Sequence, residues 1–308
     1  LGRPLLTVSH NRFKHSDSAP AEPPTEAFYR SRVTHDIIGN QLAVWDAQER
    51  IVMQYDWDMV GNQIHQSSME AGQRWTLTDA VGKPVYTWKS REVRLRTTYD
   101  QLRRPIGSYL SEGGGPELLV GRTVFGESWP APEAHNLRGK VVQLFDQAGV
   151  ATNHEYDFKG NLLSSSRQLA LSYKEVLDWS GDVPLEPNSY VSHAQYDALN
   201  RKTEIRAPDN SLIHLAYGEG NLLNAVTANL HGTQVGGAPV WTPFVTNIDY
   251  DAKGQRVGIY YGNGVSTTYE YDPVGNRTSI VDANGVTTTF EYNFLNQLKR
   301  ETNPLNKT

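Results

Sequence analysis

Carboxylates follow aromatic residues at intervals along this chain, as Tyr99-Asp100, Tyr156-Asp157, Tyr196-Asp197, Tyr250-Asp251 and Tyr271-Asp272. Two carboxyl groups about 5 to 9.5 Å apart across a glycosidic bond are the working parts of a glycosidase. An acid that returns with every repeat is more economically a structural group, because an aspartate side chain accepts hydrogen bonds from the amides of its own turn. No catalytic residue is assigned. The nine histidines, at 10, 15, 35, 65, 135, 154, 193, 214 and 231, form no pair at helix-face spacing and bring no zincin-like carboxylate pattern, so no metal ligand set is assigned. "GESWP" from Gly126 lacks the second glycine of a nucleophile elbow, no Walker-type phosphate loop occurs, and no cofactor is implied.

Binding chemistry has two candidate carriers. In "KSREVRLRTTYD" (89–100), Arg94 and Arg96 alternate with Val93 and Leu95, a basic stripe able to attract a sulfated glycan or another anion. The plainer alternative is a solvated sheet face whose cations pair with neighbouring acids. Trp45, Trp75 and Trp88 could stack on sugar rings or simply fill contacts within a sheet.

The elements that hold these residues are written in a repeat. "NGVSTTYEYDPVGN" (263–276) and "NGVTTTFEYNFLNQ" (284–297) start 21 residues apart and agree at seven of fourteen positions. "DPVG" (272–275) has the residue preferences of a type I turn, and "DANG" (282–285) supplies a second turn ten residues later. Between turns the residues alternate: Val286, Thr288, Phe290 and Tyr292 oppose Thr287, Thr289 and Glu291. Period two predicts strands, so each repeat is one hairpin. In this reading Asp turns the chain, Gly160, Gly254 and Gly275 relieve the turn, and the tyrosines, Tyr292 included, fill the sheet.

Aspartates 36, 58, 79 and 100 are separated by 22, 21 and 21 residues, and Asp251, Asp272 and Asn293 by 21 and 21. The predicted organisation is a Pro-rich linker or surface loop over 1–30 and a first repeat array over 31–110. A Gly/Pro-rich insertion that can carry one strand follows over 111–140. Degenerate repeats occupy 141–218 with an insertion near 162–195, and an irregular connection over 219–248 leads to a second regular array over 249–308. Within the insertion, Leu169, Tyr173, Val176 and Leu177 fall at helical spacing, which admits a short helix over 166–179 as well as hairpin arms.

Composition agrees with an all-β chain that lacks a thick core: of 308 residues, 38% are hydrophobic, with 16 Tyr, 26 Gly and 16 Pro. A net charge of −5 argues against a dedicated nucleic-acid binder. There is no cysteine to staple the fold, and no apolar run approaches the roughly 18 residues of a membrane-spanning helix. The opening "LGRPLLTVSH" has no signal-peptide pattern, and the chain is expected to be a piece of something longer.

These phrases resemble the YD-repeat, or RHS-repeat, family, named for the dipeptide present here at Tyr55, Tyr99, Tyr156, Tyr196, Tyr250 and Tyr271. "GNQIHQSSMEAGQRWTLTDAVGKPVYTW", "YDQLRRP", "YDFKGNLLSSSRQLA" and "VTNIDYDAKGQR" are similar to large bacterial toxin-complex proteins of the SpvB/TcB-like type, and the similarity covers most of 30–303. The resemblance implies tandem hairpins in a long curved, spiralling sheet, a segment of a hollow shell around a toxic C-terminal effector. It implies a non-catalytic scaffold whose partners are the rest of the parent chain, its effector and other toxin-complex subunits, in a secreted or cell-surface protein. Neither the self-cleavage region nor the effector of that family is found in these residues. The alternatives carried forward are a carbohydrate- or receptor-binding surface and, last, a glycosidase within an insertion.

Overall fold

The computed structural model describes residues 2–13 and 25–304. Among the described residues every regular element longer than three residues is a β-strand, in agreement with the all-β expectation. Two compact units are formed, one from Leu1–Val124, Gln143–Val150 and Ala170–Leu185, the other from Phe125–Val142, Ala151–Leu169 and Glu186–Thr308.

In the first unit each strand from Leu6–Phe13 to Leu118–Phe125 pairs antiparallel with the one before it in the chain. The register sets one row of side chains across the sheet: Asp56 opposite His65, His65 opposite Trp75, Trp75 opposite Trp88, Trp88 opposite Arg94. The second unit repeats the plan from Leu185–Tyr196 to Leu298–Thr302. Its strand Thr287–Tyr292 alternates exposed with half-buried residues in the order that the Thr/Glu and aromatic faces predict.

Fully apolar burial is local. In the first unit Leu119, Val150, Ala170, Leu177 and Trp179 form a cluster flanked by Tyr109, Phe145, Val183 and Leu185. The Trp179 indole meets the Phe145 ring edge-on at 5.0 Å and donates to the Asp146 carbonyl at 3.1 Å. In the second unit Leu137 and Val142 are fully buried. Gly126 packs there so closely that a Cβ would lie 2.0 Å from the Leu137 carbonyl oxygen.

Several expectations are corrected. The stretch 1–30 contains two paired strands, Leu6–Phe13 and the beginning of Thr25–His35, and not a linker or loop alone; 14–24 lie outside the described residues. The insertion over 162–195 contributes the strands Leu162–Ala170 and Leu185–Tyr196, and no helix forms over 166–179. There Leu177 is buried while Tyr173 and Val176 are exposed, so the residues at helical spacing share no common face. The backbone is satisfied by side chains instead: the Gln147 amide carbonyl accepts from Leu177 N at 2.8 Å, and Asp178 Oδ1 accepts from Leu119 N and Ser180 N, both at 3.0 Å. The connection 219–248 also holds more strand than expected, in Leu223–Asn229, a two-residue pair at Gln234–Val235 and Ala238–Pro239, and Thr242–Tyr250. It closes on buried Asn229, whose Nδ2 donates to the carbonyls of Thr233 and Val240, both at 2.7 Å.

Candidate functional site

The recurrent feature of both units is the Tyr-Asp turn. At Asp272 the backbone N–H bonds to the Asn276 carbonyl at 2.9 Å, and Gly275 N donates back to the Asp272 carbonyl at 3.0 Å. Gly275 has φ +102°, the left-handed residue that follows a type I turn in a three-residue hairpin loop with a glycine bulge. Gly39, Gly61, Gly82, Gly160 and Gly254 occupy the same place three residues after Asp36, Asp58, Asp79, Asp157 and Asp251, while Arg103 and Asn200 take it after Asp100 and Asp197. In the hairpins with a recorded register, the pairing slips by one residue at the position before the turn residue: His35, Trp57, Thr78, Tyr99, Tyr196, Tyr250, Tyr271 and Tyr292. At Tyr99, Tyr196, Tyr250 and Tyr271 the dipeptide is therefore the signature of a bulge and the turn that it feeds, whereas Tyr55-Asp56 lies within a strand, with Asp56 opposite His65.

Each aspartate acts as an acceptor hub. Asp58 Oδ1 accepts from Val60 N at 2.9 Å and Asn62 N at 2.8 Å, while its Oδ2 accepts from Asn62 Nδ2 at 2.8 Å. Asn161 and Asn276 repeat the side-chain bond on Asp157 and Asp272, and Arg104 and Arg201 replace it on Asp100 and Asp197 with Nε bonds of 2.7 Å. The residue four places after the aspartate is thus part of the motif. Sequence reasoning passed over it, although "DIIGN", "DMVGN", "DFKGN" and "DPVGN" print it beside the glycine.

The tyrosines do more than fill space. Tyr99, Tyr217, Tyr250 and Tyr271 donate their hydroxyls to the carbonyls of Pro84, Lys202, Leu223 and Arg256 at 2.7 to 2.9 Å. Trp57 Nε1 does the same to Gln41 at 2.8 Å. Every acceptor is the first residue of the strand leaving the preceding turn on the same edge, so these five hairpins are each stitched to the one before. Turn-to-turn bonds run beside these stitches, including Arg103 to Asp79 at 2.7 Å, Lys253 to the Pro273 carbonyl at 2.6 Å and Asn161 to Asn200 at 2.9 Å. Tyr156 donates to the Val141 carbonyl at 3.2 Å, and burial pushes its hydroxyl pKa up against the bond from Asn153. Tyr196 and Tyr292 are half-buried beside their turns.

The electrostatics run opposite to general-acid chemistry. The Asn62 side chain holds the Asp58 carboxyl below the ordinary carboxylate range, with help from the turn amides. Asn161 does so for Asp157, and the Arg201 backbone amide leads the same effect at Asp197. A catalytic acid at neutral pH needs a raised pKa. Among the described residues no group of three or more His, Asp or Glu is placed to hold a metal ion.

The glycan-binding candidates divide. Arg96 is taken up by Glu117, with Nη2 to Oε2 at 2.6 Å, and its guanidinium lies 3.8 Å over the Tyr109 ring. Arg94 lies 3.9 Å from the same carboxylate. The basic stripe is thus paired with a neighbouring acid. Trp45 is half-buried beneath the Arg32 guanidinium, 4.7 Å from its ring centre. Trp75 and Trp88 remain exposed at 46% and 40%, directly opposite each other across neighbouring strands. Trp75 stacks at 3.8 Å on His65, which is held by Asp56 at 2.7 Å.

Comparison with known proteins bears on the hairpins directly. The family model described as RHS Repeat matches residues 250–287 and again 271–308, an offset equal to the period. The hairpins over 250–308 match the RHS repeat. Toxin subunit YenC2 of Yersinia entomophaga is 26% identical over 240 residues, covering 70% of this chain and 24% of that protein. Toxin subunit YenC1 of the same organism is 24% identical over 235 residues, covering 73% and 23%. This chain therefore spans about a quarter of the length of the curated relatives it matches. The crystal structure of TcdB2-TccC3 superposes on 100% of this chain and 15% of its own, with a TM-score of 0.82 at 22% identity. The Photorhabdus luminescens Tc holotoxin pore covers 99% and 15%, with a TM-score of 0.81 at 21% identity. At this identity the likeness establishes the shared all-β fold.

Proposed function

We infer that this RHS-repeat chain is a structural segment of a bacterial toxin protein, a non-catalytic piece of the shell wall that encloses a C-terminal effector. The observation that carries the reading is the stitched edge, in which turns are closed by aspartates, and four tyrosine hydroxyls and one indole each tie a hairpin to the one before it. Such a ladder grows by copying one unit and needs no thick apolar core. The likeness of the entire chain to a stretch of TcdB2-TccC3 supports the same reading. Its partners are the remainder of the parent chain, the effector and further toxin-complex subunits, in a secreted or cell-surface protein.

Limited proteolysis of the parent protein, with its C-terminal segment followed by mass spectrometry, tests the enclosure. The segment should survive until the repeats are denatured; digestion at the rate of an unprotected control overturns the reading. A second reading rests on the exposed Trp75 and Trp88 pair: a sheet face that takes a glycan. Saturable binding on a glycan array that disappears with Trp75→Ala and Trp88→Ala would favour it, whereas a plain wall shows no saturation.

A further inference from the structure

The ladder of the first unit has two edges of turns whose tips differ in chemistry. On the Tyr-Asp edge the two residues after each aspartate are Ile37-Ile38, Met59-Val60, Ala80-Val81 and Gln101-Leu102. Ile37 and Met59 are each 102% exposed, and Ile38, Val60, Val81 and Leu102 also stand in solvent. On the opposite edge the corresponding tips are Ala47-Gln48, Glu70-Ala71, Arg91-Glu92 and Gly113-Gly114, with Met69 as the one large apolar side chain beside them among the described residues. Turn chemistry does not require the difference. Asp46 closes its turn with the same acceptor pattern as Asp58, taking the amides of Gln48 and Arg50 at 2.9 Å, and carries polar tips. The second unit shows the contrast only in part: Phe158, Val274, Phe294 and Leu295 are exposed on its Tyr-Asp edge beside the tip Ala252-Lys253, and the other side carries Ala283-Asn284 but also exposed Leu230 and Val235.

The apolar tips of the first unit form a regular row. Turns on one edge recur every second strand, about 9.6 Å apart, so four of them extend over roughly 30 Å. At their bases Asp79 pairs with Arg103 and Asp100 with Arg104, while the Asp58 carboxylate accepts from the neutral Asn62 amide. Covering the row would thus bury two carboxylates whose ion pairs are already made. Exposed apolar surface of this kind marks an interaction site.

We propose that the Tyr-Asp edge of the first unit is buried against another stretch of the parent polypeptide, one that presents an apolar strip to it. The occupant is taken from the parent because the curated relatives are about four times as long as the part this chain matches. In that respect the proposal rests on the shell reading above. The opposite, polar edge stays in solvent.

The chain has no cysteine, so single thiols can be placed at chosen tips. Met59→Cys, Val81→Cys and Ala47→Cys would each be made in the full parent protein and labelled with a small maleimide, native and denatured, with the modified peptide quantified by mass spectrometry. The tip thiols at 59 and 81 should react at least about tenfold slower in the native than in the denatured protein, and the thiol at 47 at nearly equal rates. Fast labelling at 59 and 81 overturns the proposal, as does equal protection at all three. Enclosure of the effector is read separately by proteolysis: a digested effector with protected tips sinks the shell reading and leaves the buried edge standing.

Discussion

The Trp179 cluster of the first unit and the regular hairpins over 249–304 solve the same problem with different forces. The cluster gathers five buried apolar residues from the strand at Leu119, the hairpin around Val150 and the loop that carries Leu177 and Trp179. Its stability rests on area withdrawn from water. The hairpins bury little, with Gly258, Ile259 and Ser279 as their buried members and large side chains such as Val274 and Phe294 in solvent. They rely on turn acceptors, tyrosine stitches and cross-strand pairs such as Tyr269 opposite Ile280. A cluster fails when one large piece is removed, whereas a ladder shares its load among many small bonds.

The largest expected effect therefore falls on the cluster. Trp179→Ala removes a 6%-exposed indole, its edge contact with Phe145 and its bond to the Asp146 carbonyl. Truncation of a buried aromatic costs about 3 to 5 kcal/mol. Urea unfolding followed by hydrogen exchange should show that loss, with protection disappearing around Leu119, Val150 and Leu177 and remaining in the 266–281 hairpin. Equal loss of protection in the hairpin would mean that the two regions are not energetically distinct.

In the ladder the sharpest single point is Gly275. The nearest atoms to a Cβ there belong to the flexible Gln255 side chain, 3.4 Å away, so space is not the obstacle. The obstacle is φ +102°, which a β-branched residue adopts only under strain of about 1 to 3 kcal/mol. Gly275→Val should lower the thermal midpoint and speed exchange at Tyr271 to Arg277, by less than the tryptophan change. An unchanged melt would refute the turn geometry. The next turn supplies an internal control, since Asn296 takes the same place at φ 58° and asparagine tolerates that region.

Much of this ladder was visible in the sequence. The 21-residue period placed the hairpins, and period-two alternation sorted Thr287, Thr289 and Glu291 from Phe290 and Tyr292. The aspartates were recognisable as turn groups because they recurred. What was missed depends on contacts between repeats. A tyrosine hydroxyl that reaches Arg256 from Tyr271 leaves no local pattern, and neither does the Gln147 side chain that holds Leu177 out of a helix. The strands at Leu6–Phe13 and Thr25–His35 were hidden by the Pro-rich residues between them, whose composition outweighed the paired flanks. The basic stripe illustrates the same limit from the other side: Arg94 and Arg96 stood out on their strand, but Glu117, 21 residues beyond Arg96, pairs closely with Arg96 and lies 3.9 Å from Arg94.

The smallest expected effect concerns the charge on a single turn, and pH separates it from the turn's shape. Asp58 is held below the ordinary carboxylate range by the Asn62 side chain and by the amides of 62, 60 and 61, which together outweigh desolvation. Because its folded pKa is depressed, its contribution is present above the unfolded value of about 3.9 and is lost as pH falls through the lower folded value. Asp58→Asn keeps an oxygen for the turn amides, as Asn293 does for Leu295 N and Gln297 N at 2.9 and 3.0 Å, but it does not titrate. At pH 7 the variant should melt slightly below the wild type, and the gap should narrow progressively as both are taken below the unfolded value of about 3.9. A gap that stays constant from pH 7 to pH 3 would show that the ladder needs the shape of the acceptor and not its charge. In that case the recurrence of aspartate at the turns of Asp36, Asp79 and Asp100 on this edge would follow from hydrogen-bond geometry alone.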